Sequence, residues 1–442
     1  MTAIVVRADA RSLPLPDDSV DLIVTSPPYY ALRDYRDGDG SLAGQIGAEP
    51  TPAEYVTALL ECTREWMRVL KPSGSMWINL GDRYSQRVAT RPSSQQDGLF
   101  PDRPELAKDW KRDRARGLAR MPYENIIDPS TGTYVPEKSL IGLPWRYALG
   151  CLDGLGLILR AEVLWSKPNG LPESVTDRVR RSHEQFFHFT KQPRYYSAVD
   201  EIREPHAGEF LSSGARNARH KHGGRLPHEI TSTYLNNNAD RKDGGNVPGN
   251  RNPLGKLPGS VWEIATQPLK VPEHLAVDHF AAFPPALVRQ IVLGWSPPGI
   301  CTACGEGRRP IFDRAKVGGW TRHTTSSRLR EGSQSGGNEI PGRQVHHHVE
   351  VTRTGYACAC STPDAPTRPS VVVDPFGGTG TTALVATVHG RIGVSCDLSH
   401  DYGRLARWRT TDPGERARAL GVPKPPPVTT GQGDLFADEV IA

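Results

Sequence analysis

A glycine-rich turn between an apolar strand and a helix carries the clearest chemical signal in the sequence. Val371–Thr382 reads VVVDPFGGTGTT, in which three β-branched residues run into Asp374 and a turn rich in Gly and Thr leads into an apolar helical pattern. A strand, a tight turn and a helix bring a ligand close to backbone N–H groups and to the positive helix end. A second short strand ends at Asp397, where an acid suits the hydroxyls of a ribose. The spacing is not G-x-G-x-x-G, which disfavours nicotinamide and flavin cofactors. A purely structural turn is the alternative.

A second candidate site follows an early apolar strand. The strand from Asp21 to Thr25 ends at Ser26-Pro27-Pro28-Tyr29. Two prolines cannot continue a central strand, so they predict a rigid turn at its carboxyl end, the edge at which open α/β sheets bind ligands. Tyr29 offers a ring face there, and the Ser26 hydroxyl and the carbonyls of Ser26 and Pro27 accept hydrogen bonds from an amino group. The turn therefore suits a flat base that carries an exocyclic amine.

Four of the seven cysteines form two close pairs, Cys301-x-x-Cys304 and Cys358-x-Cys360. Four thiolates are enough for a closed tetrahedral zinc site, so we expect a structural metal with no open position for chemistry. Unpaired cytosolic thiols are the alternative, and the run His346–His348 could supply a substitute ligand. The other three cysteines lie in apolar patterns and are predicted to be core residues: Cys62, Cys151 and Cys396.

Length and composition favour a large ordered core that carries long loops. The chain has 442 residues, of which 37% are hydrophobic, 44 are Gly and 39 are Pro. Its net charge of +5 permits an anionic partner such as nucleic acid but does not require one. We find no signal peptide and no apolar run long enough to span a membrane. We therefore expect a cytosolic protein that does not associate with membranes.

The Ser-Pro-Pro-Tyr turn early in the chain and D-P-F-x-G-x-G-T-T late in the chain together resemble the DNA amino-methyltransferases that use S-adenosylmethionine. Their order resembles the circularly permuted β class of that family. The resemblance implies an α/β fold with a Rossmann-like, seven-stranded, mostly parallel sheet and helices on both faces. It implies methyl transfer to the exocyclic amine of a base flipped out of double-stranded DNA. Four further segments share it: Arg68–Asp82, Leu143–Gly150, Leu164–Lys191 and His279–Leu287.

The resemblance also implies a role for each motif position. The methionine and sugar side of the cofactor would contact Asp374, Phe376, Gly378, Gly380 and Thr381. Asp397 would contact the ribose, and Asp9 would lie near the adenine. Phe283 and Pro284 would close the pocket. The target base would be held by Ser26, Pro27, Pro28 and Tyr29. Acceptors at Ser26 and Pro27 would favour the pyramidal nitrogen that attacks the methyl group in line, which is orientation rather than covalent catalysis.

Serine before Pro-Pro-Tyr favours cytosine N4 over adenine N6, because adenine enzymes of the family usually carry Asp or Asn there. Carbon-5 methylation of cytosine is disfavoured, because those enzymes carry a Pro-Cys dipeptide and this sequence has none. Three other classes stay open. A nucleotide-binding oxidoreductase would not explain Ser-Pro-Pro-Tyr, and a non-catalytic zinc and DNA-binding protein would not explain the cofactor motif. An RNA or protein methyltransferase would fit both motifs.

The pattern divides the chain into one catalytic domain and several insertions. We predict the catalytic domain to comprise residues 1–82, 138–200, 261–300 and 371–410. Residues 83–137 form a basic insertion, 201–260 a target-recognition region, 301–370 a zinc-binding insertion and 411–442 a disordered tail. Five basic residues without a core pattern are candidate DNA contacts, with a solvated loop as the alternative: Arg216, Arg219, Lys221, Arg225 and Arg251.

The tail carries one further motif. Gln432–Phe436, after a Pro-rich linker, resembles the peptide by which bacterial replication proteins bind the sliding clamp. A chance match, or packing of the two apolar residues on the protein's own surface, is the alternative. The chain carries no nuclease motif, so a cognate restriction endonuclease would be a separate partner protein.

Overall fold

The structure is a computed structural model, and it divides the chain into two compact units. It describes residues 3–32, 36–37, 40–41, 44–85, 126–128, 133–170, 172–205, 252, 254–275, 283–317, 348–362 and 364–425. The first unit comprises residues 1–199, 259–309 and 357–442, and the second comprises residues 200–258 and 310–356.

Sixteen strands and six α-helices are formed by the described residues. The strands are β1 Ile4–Arg7, β2 Val20–Thr25, β3 Arg36–Asp37, β4 Gly40–Ser41, β5 Leu70–Leu80, β6 Ile126–Asp128, β7 Thr133–Tyr134, β8 Ile158–Ser166, β9 His183–Thr190, β10 Val261–Glu263, β11 Ile300–Cys301, β12 Arg309–Val317, β13 His348–Ala357, β14 Thr367–Arg368, β15 Val371–Asp374 and β16 Ile392–Asp397. The helices are α1 Pro52–Val69, α2 Leu143–Leu155, α3 Pro285–Trp295, α4 Thr381–Val388, α5 His400–Thr411 and α6 Pro413–Leu420.

One large sheet organises the first unit. Its strand order is β1-β16-β15-β2-β5-β9-β8-β10, and only β9 runs antiparallel to its neighbours. The expected mostly parallel sheet is confirmed, but the described part of the sheet has eight strands where seven were expected. The additional strand is β10, which pairs with β8 at one edge. Only its central residue, Trp262, is buried, so the sequence pattern is too short to identify it.

Helix α1 begins where its capping residues predict. The Glu54 backbone N–H donates to the Thr51 hydroxyl at 3.2 Å, and this hydroxyl donates in turn to the Glu54 carboxylate at 2.8 Å. The cap thus satisfies one N–H group that the helix itself leaves unpaired, and Pro52 in the first turn has no N–H to satisfy.

The two faces of the sheet carry different helices. Met76 and Ile78 of β5 join a buried cluster with residues of α1 and α2. Trp77 points to the opposite face, where its ring lies 4.5 Å from that of Trp295 at the end of α3. Successive residues of a strand point to opposite faces, so β5 is buried on both sides. This confirms the expectation of helices on both faces.

The predicted disordered tail begins too early in the sequence-based division. Residues 413–420 form α6, whose first turn is capped by Asp412 through a 2.8 Å bond from the Glu415 N–H. Glu415 is buried and pairs with the buried Arg409 of α5. The sequence did not predict this helix, because its buried contact is an ion pair and its residues show no apolar periodicity.

The second unit contains a two-stranded sheet of β12 and β13. A salt bridge of 2.6 Å joins Arg353 to Glu201, and Lys256 pairs with Glu204 at 2.9 Å. Across the described ranges of both units, no helix is long and apolar enough to cross a membrane.

Candidate functional site

A cavity opens at the carboxyl ends of four neighbouring parallel strands of the first unit. Its empty space, including the open mouth, is about 790 Å³. Strands β1, β16, β15 and β2 end around it, which is the edge at which open α/β sheets bind ligands. It is lined by Ala8, Asp9, Ala10, Ser26, Pro28, Gln45, Ile46, Pro375, Phe376, Gly378, Thr379, Asp397, Leu398 and Tyr402. The structure thus brings residues of both sequence motifs to one cavity.

Asp397 lies at this edge with its carboxylate held by two backbone donors. The Gly378 N–H donates to Oδ2 and the Ser399 N–H donates to Oδ1, each at 2.8 Å. These bonds fix the carboxylate between the glycine-rich turn and the start of α5. A carboxylate at this strand end is an acceptor suited to the hydroxyls of a sugar.

Asp9 lines the cavity on the far side of β16, but it is already paired. The Arg11 guanidinium donates to both of its carboxylate oxygens, at 2.7 Å from Nη2 and 3.0 Å from Nε. These hydrogen bonds lower the pKa of Asp9 below its usual value. Arg11 also donates to the Gly44 carbonyl at 3.1 Å. This contact ties Asp9 to the loop that supplies Gln45 and Ile46 to the cavity.

Asp374 lies behind the glycine-rich turn. Its side chain is buried at 2% exposure and is not among those that line the cavity. One oxygen accepts from the Thr25 hydroxyl at 2.6 Å and from the Phe376 N–H at 3.1 Å, and the other accepts from the Thr382 hydroxyl at 2.8 Å. Burial raises the pKa of Asp374 to about 7, although these three bonds oppose the shift. Asp374 therefore joins β2, β15 and α4 behind the turn.

Gly380 and Thr381 also lie on the back of the glycine-rich turn. Gly380 has φ of 75°, and a Cβ there would lie 2.8 Å from the Cβ of Ala406 in α5. The buried Arg409 guanidinium donates to the hydroxyls of Thr381 and Thr379 at 2.6 and 2.7 Å. Gly380 and Thr381 thus fix the turn against α5, whereas Thr379, held by the same guanidinium, also lines the cavity.

Phe376 and Gly378 form the front of the turn and line the cavity, as expected. The Phe376 ring packs edge-on against Trp66 of α1, with centroids 5.9 Å apart. Phe283 and Pro284 immediately precede α3, where Pro284 is buried. Neither is among the cavity-lining residues, and most of the segment before them lies outside the described part of the chain.

Tyr29 lies within a polar network beside the cavity. Its hydroxyl donates to Glu184 at 2.7 Å and accepts from the Asn79 amide at 3.0 Å. Glu184 forms a salt bridge with Lys167. Burial and then the nearby Glu184 carboxylate raise the pKa of Tyr29 well above 10, so its hydroxyl stays protonated. A Cβ at Gly81 would lie 2.6 Å from Cε2 of Tyr29, so the ring rests on bare backbone.

The turn before Tyr29 is fixed from below. The Tyr55 hydroxyl of α1 donates to the Pro28 carbonyl at 2.8 Å. Pro27 is buried, whereas Ser26 and Pro28 line the cavity. The Ser26 hydroxyl lies 3.4 Å from the Asn79 amide nitrogen. The predicted rigid turn at the carboxyl end of β2 is confirmed, and its members take different positions around the cavity.

Sequence reasoning missed several residues of this site, on the cavity wall and in the network around Tyr29. Leu398 and Tyr402 follow Asp397 within five positions, so their closeness to that strand end was a usable signal. Asn79, Lys167 and Glu184 lie in segments that share the family resemblance, but nothing in their spacing marked them individually. Gln45 and Ile46 come from a loop without any motif.

The four clustered cysteines lie together in the first unit, and their sulfur atoms are all within 4.8 Å of one another. Strand β11, which contains Cys301, pairs antiparallel with β14. Backbone N–H groups of Cys304 and Ala303 point at the Cys301 sulfur and lower the pKa of its thiol to about 6. The remaining cysteines are buried elsewhere, as expected: Cys62, Cys151 and Cys396.

Three predictions from the sequence fall outside the described residues. These are the five basic residues chosen as DNA contacts (Arg216, Arg219, Lys221, Arg225 and Arg251), the charged run in the basic insertion, and the tail peptide Gln432–Phe436. They stay predictions.

Comparison with known proteins identifies the family. The family model described as DNA methylase matches residues 20–302. The chain is 32% identical over 285 residues to the type II methyltransferase M.Cfr9I of Citrobacter freundii, covering 64% of this chain and 69% of that protein. It is 33% identical over 318 residues to M.SmaI of Serratia marcescens, covering 71% and 80%. A solved cytosine-N4-specific PvuII DNA methyltransferase has 15% identity and a TM-score of 0.47 over 95% of this chain and 91% of that one. The chain belongs to the N6/N4 DNA methylase family.

Proposed function

We propose that this protein transfers a methyl group from S-adenosylmethionine to the exocyclic amine of a DNA base, and that this amine is N4 of cytosine. One observation carries the proposal. Ser26 and Pro28 of the base turn line the same cavity as Phe376, Gly378 and Asp397. A donor held by the last three residues and a base held by the turn would therefore meet in one space, as direct transfer requires.

The cofactor end of the cavity suits a nucleoside that carries a cation. Asp397 would accept hydrogen bonds from the two ribose hydroxyls, since Gly378 and Ser399 already fix its orientation. Asp9 would lie near the adenine, with its negative charge balanced by Arg11. S-adenosylmethionine supplies a methyl group activated by its positively charged sulfur. The protein's own contribution is to orient that group toward the base turn.

At the base end, the amine must be made a better nucleophile. The lone pair of an exocyclic amine is delocalised into the ring, so acceptors that bind its hydrogens favour the pyramidal, reactive nitrogen. The Ser26 hydroxyl and the carbonyls of the turn are such acceptors. Tyr29 would stack on the base, because its ring is fixed by Gly81 and its hydroxyl by Glu184 and Asn79. A base inside a duplex cannot reach this turn, so it must be flipped out.

Ser26 is what supports cytosine over adenine. It places a neutral hydroxyl at the position where adenine enzymes of the resembling class usually carry Asp or Asn. Both bases present an exocyclic amine next to a ring nitrogen, so the same turn could accept adenine N6, which is the alternative.

Product analysis tests the proposal. The purified protein is incubated with S-adenosylmethionine labelled in the methyl group and with unmethylated bacterial DNA, and the DNA is digested to nucleosides for mass spectrometry. We expect label in N4-methyldeoxycytidine. Label in N6-methyldeoxyadenosine would overturn the choice of base. Label in 5-methyldeoxycytidine, or in RNA or protein but not DNA, would overturn the reaction.

Two variants of Tyr29 test the base end. Tyr29→Ala removes the ring. Loss of stacking on one base should raise the activation free energy by about 1–3 kcal/mol, which lowers turnover about 5- to 150-fold. Tyr29→Phe keeps the ring and removes only the hydroxyl, so it should retain most of the turnover. Equal activity of the two variants would show that the ring does not carry the base.

DNA recognition and two protein partners belong to the same proposal. We assign sequence recognition to the basic residues of segment 201–260, since Arg and Lys suit contacts with phosphates and base edges. A sliding clamp that binds Gln432–Phe436 and a cognate restriction endonuclease are the proposed partners.

A further inference from the structure

The four clustered thiols have the geometry of a metal site. The sulfur of Cys360 lies 3.9 Å from that of Cys301 and 3.4 Å from that of Cys358, and all four sulfurs lie within 4.8 Å of one another. In a tetrahedral zinc site with Zn–S bonds of about 2.3 Å, sulfur atoms are about 3.8 Å apart. A disulfide would require about 2.0 Å. The spacing therefore fits four ligands around one ion and does not fit paired disulfides.

The backbone around the first cysteine pair is shaped for the same purpose. The Gly305 N–H donates to the Cys301 carbonyl at 2.9 Å, which closes a tight turn over Cys301-x-x-Cys304. Gly305 has φ of +74°, a conformation that favours glycine. This turn brings the sulfur atoms of Cys301 and Cys304 within 4.8 Å of each other, as two ligands of one ion must be.

The cysteines join two chain segments that are far apart in sequence. Cys301 and Cys304 follow α3, whereas Cys358 and Cys360 precede β14 and β15. Between the segments, the backbone N–H of Thr302 donates to the Pro366 carbonyl at 2.9 Å, and the Arg308 guanidinium donates to the Ala365 carbonyl at 2.6 Å. A short two-stranded sheet and a few hydrogen bonds are weak anchors, so a metal ion would add most of the strength here.

The start of β15 depends on this junction. The Ser370 hydroxyl, one residue before β15, donates to the Pro297 carbonyl at 2.5 Å in a buried position. The Arg391 guanidinium, just before β16, donates to the hydroxyl and carbonyl of Ser296 at 3.1 and 2.9 Å. The starts of β15 and β16, two of the four strands that end at the cavity, are thus bonded to Ser296 and Pro297, just before the first cysteine pair.

We propose that Cys301, Cys304, Cys358 and Cys360 bind one structural Zn²⁺ that fixes the start of β15 and hence the placement of the glycine-rich turn. Four thiolates fill all four positions of a tetrahedral ion and leave none for substrate. The cysteines also precede β15, whereas the cavity lies beyond its carboxyl end, and the four residues of this strand alone span roughly 10 Å at the usual rise. The ion takes no part in methyl transfer.

Metal content tests the site without any activity measurement. Protein purified under reducing conditions, without chelators or a metal-binding tag, should contain about one zinc per chain, as a closed four-cysteine site requires. Replacement by Co²⁺ should give the intense visible bands of a tetrahedral thiolate complex. Wild-type protein that holds no zinc and binds neither ion when reduced would overturn the proposal.

A matched pair of variants assigns the ligands. Cys304→Ser removes the most exposed thiol of the cluster and should lose most of the zinc. Cys151→Ala removes a buried thiol outside the cluster and should keep the full zinc content, although it costs some stability. Full zinc content in Cys304→Ser, or equal loss in both variants, would contradict the assignment.

Alkylation of the wild-type protein gives an answer even if Cys304→Ser does not fold. Cys304 is exposed, so an unbound thiol there should react readily with iodoacetamide, whereas a zinc-bound thiolate is shielded. Removal of zinc with a chelator should speed modification of Cys304 about tenfold or more and lower the thermal midpoint of the wild-type protein. Rapid modification of Cys304 that a chelator does not change would show that no metal is bound. None of these outcomes depends on which base is methylated.

Discussion

The front and the back of the glycine-rich turn are made of neighbouring residues of one motif, yet they do different work. Phe376 and Gly378 line the cavity, whereas Gly380 and Thr381 pack on α5 and on the buried Arg409. The front is available to a ligand, and the back is fully engaged by the protein. A motif residue therefore acts on the ligand or on the fold according to the direction in which the turn points it.

The two aspartates of the site show the same contrast. Asp374 ends β15 and is paired in register with Ser395 of β16. Asp397 lies two residues further along β16, past the end of β15. Its carboxylate therefore reaches the open edge of the sheet, while that of Asp374 is enclosed by Thr25 and Thr382. The extent of each strand, rather than the residue type, decides which acid meets the cavity.

The largest effect on stability is expected from a substitution at the back of the glycine-rich turn. Arg409→Met should lower the free energy of unfolding by about 3–5 kcal/mol, because it leaves the buried Glu415 carboxylate without its closest partner. Urea denaturation measures this loss. Arg409→Lys keeps the charge and should lose less. The fraction of Arg409→Met that stays folded should bind S-adenosylmethionine normally. Weakened binding without a loss of stability would place Arg409 in the cofactor site and break the comparison.

At the front of the glycine-rich turn, a substitution should weaken cofactor binding and change stability little. Asp397→Ala should weaken S-adenosylmethionine binding about 100-fold, since hydrogen bonds to a charged group contribute about 1.5–3 kcal/mol each. Titration calorimetry gives the affinity, and a thermal scan gives the stability, which should fall much less than in Arg409→Met. An unchanged affinity would remove Asp397 from the cofactor site.

A smaller effect is expected under the base turn. Gly81→Ala places a methyl group 2.6 Å from the Tyr29 ring, so the ring must shift. A shift of this kind should lower kcat about tenfold or more, while the KM for S-adenosylmethionine stays near its wild-type value. Gly154→Ala is a suitable control, because a Cβ there meets nothing within 4 Å. Equal kcat in both variants would show that the position of the Tyr29 ring is not limiting.

The sequence predicted which motifs form the site better than it predicted where each residue of a motif lies. The Ser-Pro-Pro-Tyr turn, the glycine-rich turn and Asp397 all lie at one cavity, because parallel strands bring their carboxyl ends to one edge. The sequence did not show that Asp374, Gly380 and Thr381 lie behind the turn, because a linear pattern does not show which way each residue of a turn points.

Other residues of the site could not be predicted, because no motif or periodicity in the sequence marks them. Arg409 and Glu415 form a buried pair in a segment that looks like a solvated charged helix. Asn79, Lys167 and Glu184 come from three strands or strand ends and meet only in the folded sheet. Contacts of this kind depend on sheet register, which the sequence specifies only through the whole core.

The sharpest test of the role of Asp374 is the variant Asp374→Asn, whose effect on stability should be the smallest of those predicted here near pH 4 and should grow as the pH rises. The Thr382 hydroxyl lies 2.8 Å from Oδ2 of Asp374 and 3.2 Å from the Val24 carbonyl, and its one hydrogen cannot serve both. A protonated Asp374 would donate to Thr382 and free that hydrogen for Val24. An asparagine amide can do the same, so Asp374→Asn imitates the protonated acid.

The pH dependence follows from the direction of the pKa shift. Burial raises the pKa of Asp374 to about 7 from a reference value of 3.8. Between these values the folded protein keeps a proton that the unfolded chain releases, so this group's contribution to stability falls as pH rises. Asp374→Asn should match the wild type within about 1 kcal/mol near pH 4 and become progressively more stable than it up to about pH 7. Buried His188 and half-buried His389, whose pKa values are lowered to about 3 and 4, impose the opposite slope on both proteins and cancel in the difference. Urea denaturation at a series of pH values gives that difference. A constant difference across this range, or a large loss of S-adenosylmethionine affinity in Asp374→Asn, would return Asp374 to the front of the turn as a ligand-binding acid.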